Sequence, residues 1–238
     1  MIKGNYIGID ASLTSTAISV YNENGYHFFS YFKNYTKPTK WTKELEFVKF
    51  VGVEYSKDED YSIQESNKMW DYQQSVECMV NDLKEVLVDG EVFFSQEGYS
   101  FSSMAGHLID LVQLGTLIRN AMTKDLGAEM TIYSPSTMKK ETCGLAYGWT
   151  KKGKKVIKYD TRNNIGLAGG NFKKHQMMEA MYDYPTDNKL SEFVDAFYAD
   201  MMTMKKVPSP VDDLIDSFWA LQILMNEKVH KKFWILNP

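Results

Sequence analysis

The sequence predicts an α/β fold: a mixed sheet, in which an antiparallel meander is extended by parallel strands, with helices on both faces. Three observations point there. Two β-rich runs flank Asn24-Gly25, a hairpin signal, directly after a short apolar strand. From residue 66 onward, stretches with helical apolar spacing alternate with short apolar runs of strand length. Two of these strands, the first and the fourth, end on a carboxylate.

The elements follow in order. Residues 5–10 form a buried strand ending on Asp10, and residues 14–21 and 26–33 complete a three-stranded meander. Residues 34–62 are polar, charged and aromatic without a clear period, and read as an insertion. Met69, Tyr72, Val76, Met79, Leu83 and Leu87 recur at three- and four-residue steps, which predicts a helix over 66–88. Residues 92–97 are the fourth strand, ending on Glu97. Ser102 or Ser103 caps a helix that runs to about Leu126, with Gly127 as its stop. Residues 130–133 are a strand, and Ser134-Pro135 starts a short helix with proline in its favoured first position. Residues 145–171, rich in Gly and Lys, read as a loop or small hairpin. Helices are expected at 172–183 and 189–205. The segment Val207-Pro208-Ser209-Pro210 breaks the chain before a last helix over 211–227.

Composition excludes several classes. With 238 residues, 44% hydrophobic and 24% charged, the chain is neither disordered nor collagen-like. Cys78 and Cys143 are far apart and form no Cys-x-x-Cys pair, which argues against a cysteine zinc site and for a reducing compartment. No apolar run is long enough to span a membrane, and residues 1–10 lack the apolar core of a signal peptide, so a cytoplasmic protein is expected.

The net charge of −4 conceals a strong asymmetry. Residues 44–97 hold 14 acids and 4 bases, a net of −10, whereas residues 139–174 hold 10 bases and 2 acids, a net of +8. The second block can attract a polyanion locally whatever the total.

The acids stand where chemistry can use them. Asp10 and Glu97 end strands, and strand ends on one edge of an α/β sheet converge. Asp212, Asp213 and Asp216 open the last helix, which is otherwise apolar on nearly all sides and therefore buried. Asp216 shares a helix face with Asp213 and also with Asp212, so spacing leaves that choice open. Taken singly, each acid reads as a cap or surface residue. As a set of converging carboxylates without a cation nearby in sequence, they point to hard divalent ions, Mg²⁺ or Mn²⁺. Two such ions about 3.5–4 Å apart activate water and stabilise the leaving oxygen of a phosphodiester.

These residues carry a resemblance. Ile7-Gly8-Ile9-Asp10-Ala11-Ser12-Leu13-Thr14-Ser15-Thr16 resembles the first strand and turn of RuvC-type Holliday junction resolvases of the RNase H-like superfamily, with Ala11 in place of a common proline. Ser95-Gln96-Glu97 is similar to the segment holding the family's second acid. The segment from Ser134 to Gly144 resembles its Pro-x-x-Val-Lys-Lys-x-x-x-Gly motif, Lys174-His175-Gln176-Met177 its Lys-x-Gln-Met, and residues 213–221 its closing Asp-x-x-Asp helix. The five matches occur in family order between residues 5 and 225.

The resemblance implies an RNase H-like nuclease domain over residues 1–238, with additions at about 34–62, 145–171 and 184–206 that are more similar to phage- and virus-encoded members. It implies Asp10, Glu97, Asp213 and Asp216 as ligands of two Mg²⁺ ions, with Mn²⁺ as a substitute. Lys174 and Lys139 become phosphate contacts near the scissile bond. Ser12, Lys140, Lys151, Lys152, Lys154, Lys155 and Lys173 complete the expected DNA-binding set. The family has an aromatic residue that stacks on a base shortly after the glutamate, and Tyr99 and Phe101 straddle that place. The implied activity is cleavage of four-way or other branched DNA by a homodimer, in the host cytoplasm if the source is a virus, leaving 5′-phosphate and 3′-hydroxyl ends. The helix over 103–126 would lie near the dimer interface.

Three other classes share features with this reading. Actin-like and sugar-kinase ATPases also open with Gly-Ile-Asp, but they need a second phosphate loop, for which residues 166–170 are a poor match. A non-catalytic DNA-binding module would be expected to lack one of the acids. Another nuclease of the same superfamily, cutting flaps or RNA hybrids, would share the metal core, because fold does not settle substrate.

Overall fold

The computed structural model describes residues 4–33, 47–99, 105–147, 149–152, 155–160, 165–167, 174–182, 192, 195, 207 and 209–235. Its main feature is a six-stranded mixed sheet. Strands β1 (Asn5–Asp10), β2 (Ser15–Asn22) and β3 (Gly25–Lys33) form the expected antiparallel meander. The β2–β3 loop is Glu23-Asn24 rather than Asn24-Gly25: Asn22 pairs with Gly25, which takes a positive φ of 88°, a conformation open to glycine. The Asn24 N–H donates to the Asn22 side chain at 3.0 Å.

Strand β4 (Val48–Val53) adds to β3 in parallel, and helix α1 (Tyr61–Val86) follows. Strand β4 and the first two residues of α1 fall within the stretch read as an insertion; residues 34–46 lie outside the described residues. Helix α1 starts earlier than its apolar spacing predicts because Asp60 caps it, accepting from the Ser62 and Ile63 amides at 2.9 and 3.1 Å. Strand β5 (Val92–Glu97) pairs in parallel with β1, helix α2 (Ala105–Asp125) follows, and β6 (Glu129–Tyr133) pairs in parallel with β5. The order is β4-β3-β2-β1-β5-β6. This is the mixed sheet flanked by helices that the sequence predicts.

Helix α3 (Pro135–Tyr147) begins on its proline, with Ser134 Oγ accepting the Thr137 amide at 3.1 Å. The lysine-rich region beyond it holds a small hairpin and one strand more. Strands β7 (Trp149–Lys152), β8 (Lys155–Asp160) and β9 (Ile165–Leu167) form a three-stranded antiparallel sheet. Its β-formers, Trp149, Thr150, Val156, Ile157, Tyr159 and Ile165, are interspersed with lysines that obscure the pattern. Helices α4 (Lys174–Tyr182) and α5 (Val211–Ile235) complete the described elements. The helix expected at 189–205 lies almost wholly outside the described residues. Among the described residues, no helix is long and apolar enough to cross a membrane.

Side chains alternate across a strand, so each face of the sheet builds its own core. Tyr6, Ala17, Tyr26, Phe28 and Phe93 pack against Leu214, Ile215, Phe218 and Leu221 of α5. On the opposite face Ile7, Ile9, Ile18, Val20 and Phe94 pack against Val76, Met79 and Leu83 of α1 and Leu114 and Ile118 of α2. Helix α5 lies directly on β1. A Cβ built on Gly8 would stand 2.1 Å from the Ser217 carbonyl oxygen and 2.4 Å from the Leu221 nitrogen, so only glycine admits the helix. Small hydroxyls tie the same crossing together: Ser19 Oγ meets Ser217 Oγ at 2.7 Å, and Ser95 Oγ donates to the Ala220 carbonyl at 2.9 Å.

Candidate metal centre

Strand register brings the first two acids together. Ile9 pairs with Gln96, so Asp10 and Glu97 end their parallel strands side by side. Both are two residues along from small residues on the α5 side of the sheet, Gly8 and Ser95, and alternation therefore turns both carboxylates toward α5. That helix supplies Asp216, the residue before the Ser217 that packs on Gly8. One carboxylate oxygen from each of Asp10, Glu97 and Asp216 lies within 4.8 Å of the other two, and all three residues are half-buried.

Asp213 adjoins this trio through Asp10. The Asp213 and Asp10 side chains share a hydrogen bond, and the Ser15 side chain bonds Asp213 as well. Asp212, on the same turn, spends a carboxylate oxygen on the Asp213 amide at 3.1 Å. Lys174, at the start of α4, donates to the Asp216 carboxylate and, at 3.0 Å, to the Asp212 carbonyl.

The electrostatics follow from burial and crowding. Burial, then the neighbouring Asp10 charge, pushes Glu97 up to about 7. Burial, Asp10 and Asp212 push Asp213 up to about 8. Asp10 is raised as well, chiefly by burial, while Lys174 acts in the other direction on all three. Lys139 on α3, an exposed residue, also holds Glu97 down.

This arrangement fits a divalent cation. Its donors are all hard carboxylate oxygens, they are drawn from three separate elements into one cluster, and they repel one another where a cation would relieve the repulsion.

The remaining expected residues are placed unevenly. Ser12 lies in the turn after β1, its carbonyl accepting the Thr16 hydroxyl at 2.9 Å. Lys140 is exposed on α3, 3.9 Å from Glu141. The backbone places Lys151 and Lys152 on β7 and Lys155 on β8. Lys154, Lys173 and Phe101 lie outside the described residues. Tyr99 is half-buried against α2, its ring 4.6 Å from the Arg119 guanidinium. Arg119 is a residue that sequence reading passes over. The available signal is its rarity: only two of the 27 Lys and Arg residues are arginines, Arg119 and Arg162.

No protein-family model and no curated protein matches this chain. Among solved structures it is similar in outline to Thermus thermophilus RuvC in complex with a Holliday junction substrate, at 10% identity over 96% of each chain with a TM-score of 0.45. The structure of Thermus thermophilus RuvC by itself gives 10% identity, 96% of each chain and 0.43. The yeast mitochondrial Holliday junction resolvase Ydc2 gives 12% identity, 95% of this chain, 83% of that one and 0.44.

Proposed function

We propose that this chain is a magnesium-dependent endonuclease that cuts branched DNA, with four-way junctions as its preferred substrate. The observation that carries the reading is the convergence of Asp10, Glu97 and Asp216, acids from two strand ends and a buried helix, into one cluster with Lys174 beside it. The order of the motifs from Gly8 to Asp216 supports the same reading.

Asp10, Glu97 and Asp216 would hold the metal, with Asp213 beside them. When bound there, Mg²⁺ supplies Lewis-acid polarisation of a phosphoryl oxygen and lowers the pKa of water. The chain's own residues supply the rest. Carboxylates on three elements would hold the ion at the sheet edge. Lys174 and Lys139 place ammonium groups beside the cluster, where each acts as a point charge on the DNA backbone. Lys140 and the lysines carried by the β7 and β8 backbone would add further positive charge for DNA, and Ser12 follows Asp10 in the turn after β1. No side chain is needed as a covalent nucleophile. In this reading residues 1–238 are one nuclease domain carrying additions at 34–62, 145–171 and 184–206, and two copies act on one junction.

The test is cleavage of a labelled four-way junction beside a flap and a linear duplex, with Mg²⁺ and with EDTA. Metal-dependent, junction-preferring cleavage that Asp10→Asn abolishes is expected. Unchanged cleavage by Asp10→Asn removes the metal-centre assignment. Equal cutting of junction and duplex leaves a nuclease but removes the junction preference. Light scattering with and without DNA tests the pair.

A further inference from the structure

We propose that Arg119 is a positioning residue for Glu97, holding the end of β5 from the opposite face of the sheet. The inference rests on the metal-centre reading above and concerns how that centre is built.

Neighbouring strand residues face opposite ways, so the residue before Glu97 points toward α2 while Glu97 points toward α5. That residue, Gln96, is fully buried, and its Oε1 accepts from Arg119 Nε at 3.0 Å. The same guanidinium lies over the ring of Tyr99, 4.6 Å from its centre. Tyr99 reaches further into α2: its hydroxyl donates to the Val112 carbonyl at 3.4 Å and sits 2.3 Å from where a Cβ on residue 115 would stand. Gly115 therefore makes room for the tyrosine. Between them, the Gly98 amide donates to the Tyr133 carbonyl on β6 at 2.6 Å. Residues 96, 98 and 99 are thus all held, two of them by Arg119 directly. Glu97 is left as the side chain that projects to the other face.

Arginine is suited to this in a way lysine is not. Its planar guanidinium stacks on a ring with its face while its edge donates in plane. In a chain whose cations are almost all lysine, this position is one of the two exceptions. Stability alone does not account for it. Arg119 Nη2 and Gln96 Nε2 are buried donors that find no acceptor among the described residues, which lowers stability rather than raising it.

The experiment measures Mn²⁺ binding to the full chain by electron paramagnetic resonance of the free ion. It compares wild type, Arg119→Met, Arg119→Lys, Glu97→Gln and the double variant Arg119→Met/Glu97→Gln, with circular dichroism as a check on folding. Support for a ligand is conventionally worth about 10–100-fold in metal affinity, so Arg119→Met is expected to weaken Mn²⁺ by at least about tenfold. Arg119→Lys should recover little of this. In the Glu97→Gln background the Arg119→Met effect should vanish, because a residue acting through Glu97 has nothing left to position. Wild-type affinity in Arg119→Met, or an equal loss in both backgrounds, overturns the proposal. If Arg119→Met does not fold, Tyr99→Leu keeps the Arg119–Gln96 bond and removes the stack; it should give a smaller loss that also disappears with Glu97→Gln, and an equal loss in both backgrounds again overturns the proposal. If Glu97→Gln alone leaves Mn²⁺ affinity unchanged, the metal-centre reading falls and this proposal with it. If Glu97→Gln weakens binding and Arg119→Met does not, only the Arg119 role falls.

Discussion

Gly8 of β1 lies directly beneath Ser217 of α5, with 2.1 Å between the Ser217 carbonyl oxygen and the place a Cβ on residue 8 would occupy. That close approach sets how near α5 comes to the sheet, and so where Asp216 meets Asp10 and Glu97.

Gly8→Ala is therefore expected to act at the metal centre as well as on stability. The clash is with helix backbone, which cannot step aside as a flexible side chain can. Overpacking of this kind costs about 1–3 kcal/mol or more. Chemical denaturation should show that loss, and Mn²⁺ affinity should fall with it as Asp216 is displaced. An alanine variant with wild-type stability and metal affinity would show that α5 is free to shift.

The pH dependence follows from the raised carboxyls. Glu97 is held near 7 and Asp213 near 8, against ordinary values of 4.5 and 3.8. A group whose folded pKa is raised contributes stability at pH values below its unfolded pKa and loses it as pH rises through the folded pKa. The melting temperature in EDTA should thus fall between about pH 5.5 and 8.5 through these two groups. Metal ions compete with the same protons, so the stabilisation by Mg²⁺ should be larger at about pH 8.5 than at about pH 5.5. Equal stabilisation at both pH values would mean that the ion binds elsewhere.

Lys174→Met removes the ammonium that bonds Asp216 and the Asp212 carbonyl. The lysine is about a third exposed, with side-chain exposures of 36% and 15% for the pair, so its loss lies between that of a surface pair and a buried one. A destabilisation of about 1–2 kcal/mol in EDTA is expected, together with a sharp fall in cleavage. Retention of full stability with full cleavage would show that Lys174 serves neither purpose.

Neutralising Lys151, Lys152, Lys154 and Lys155 together should weaken DNA binding at all sequences. It should also flatten the salt dependence: the slope of log K against log salt becomes shallower by about 0.9 for each phosphate that the protein no longer neutralises. Fluorescence anisotropy across a salt series checks this, and an unchanged affinity and slope would remove the lysine block from the DNA surface.

Much of the fold was legible locally. The meander, the helical spacing of α1, the Pro135 start and the buried, acid-bearing α5 all follow from periodicity and turn chemistry within a few residues. Two regions were not. Val48–Val53 lacks alternation because it is an edge strand parallel to β3 and exposed along part of its length. The strands β7 to β9 are interrupted by lysines, so their β-formers do not read as a regular pattern.

The sequence by itself determined that carboxylates end the first and fourth strands and open the last helix, since each is a matter of residue type and local period. Only the tertiary structure decided which of them meet. The β1–β5 register sets Asp10 beside Glu97, and the packing of Ser217 on Gly8 seats Asp216 over both. These pairings join segments far apart along the chain, and local periodicity, which relates a residue to its neighbours within a helical turn or two, carries no information about them.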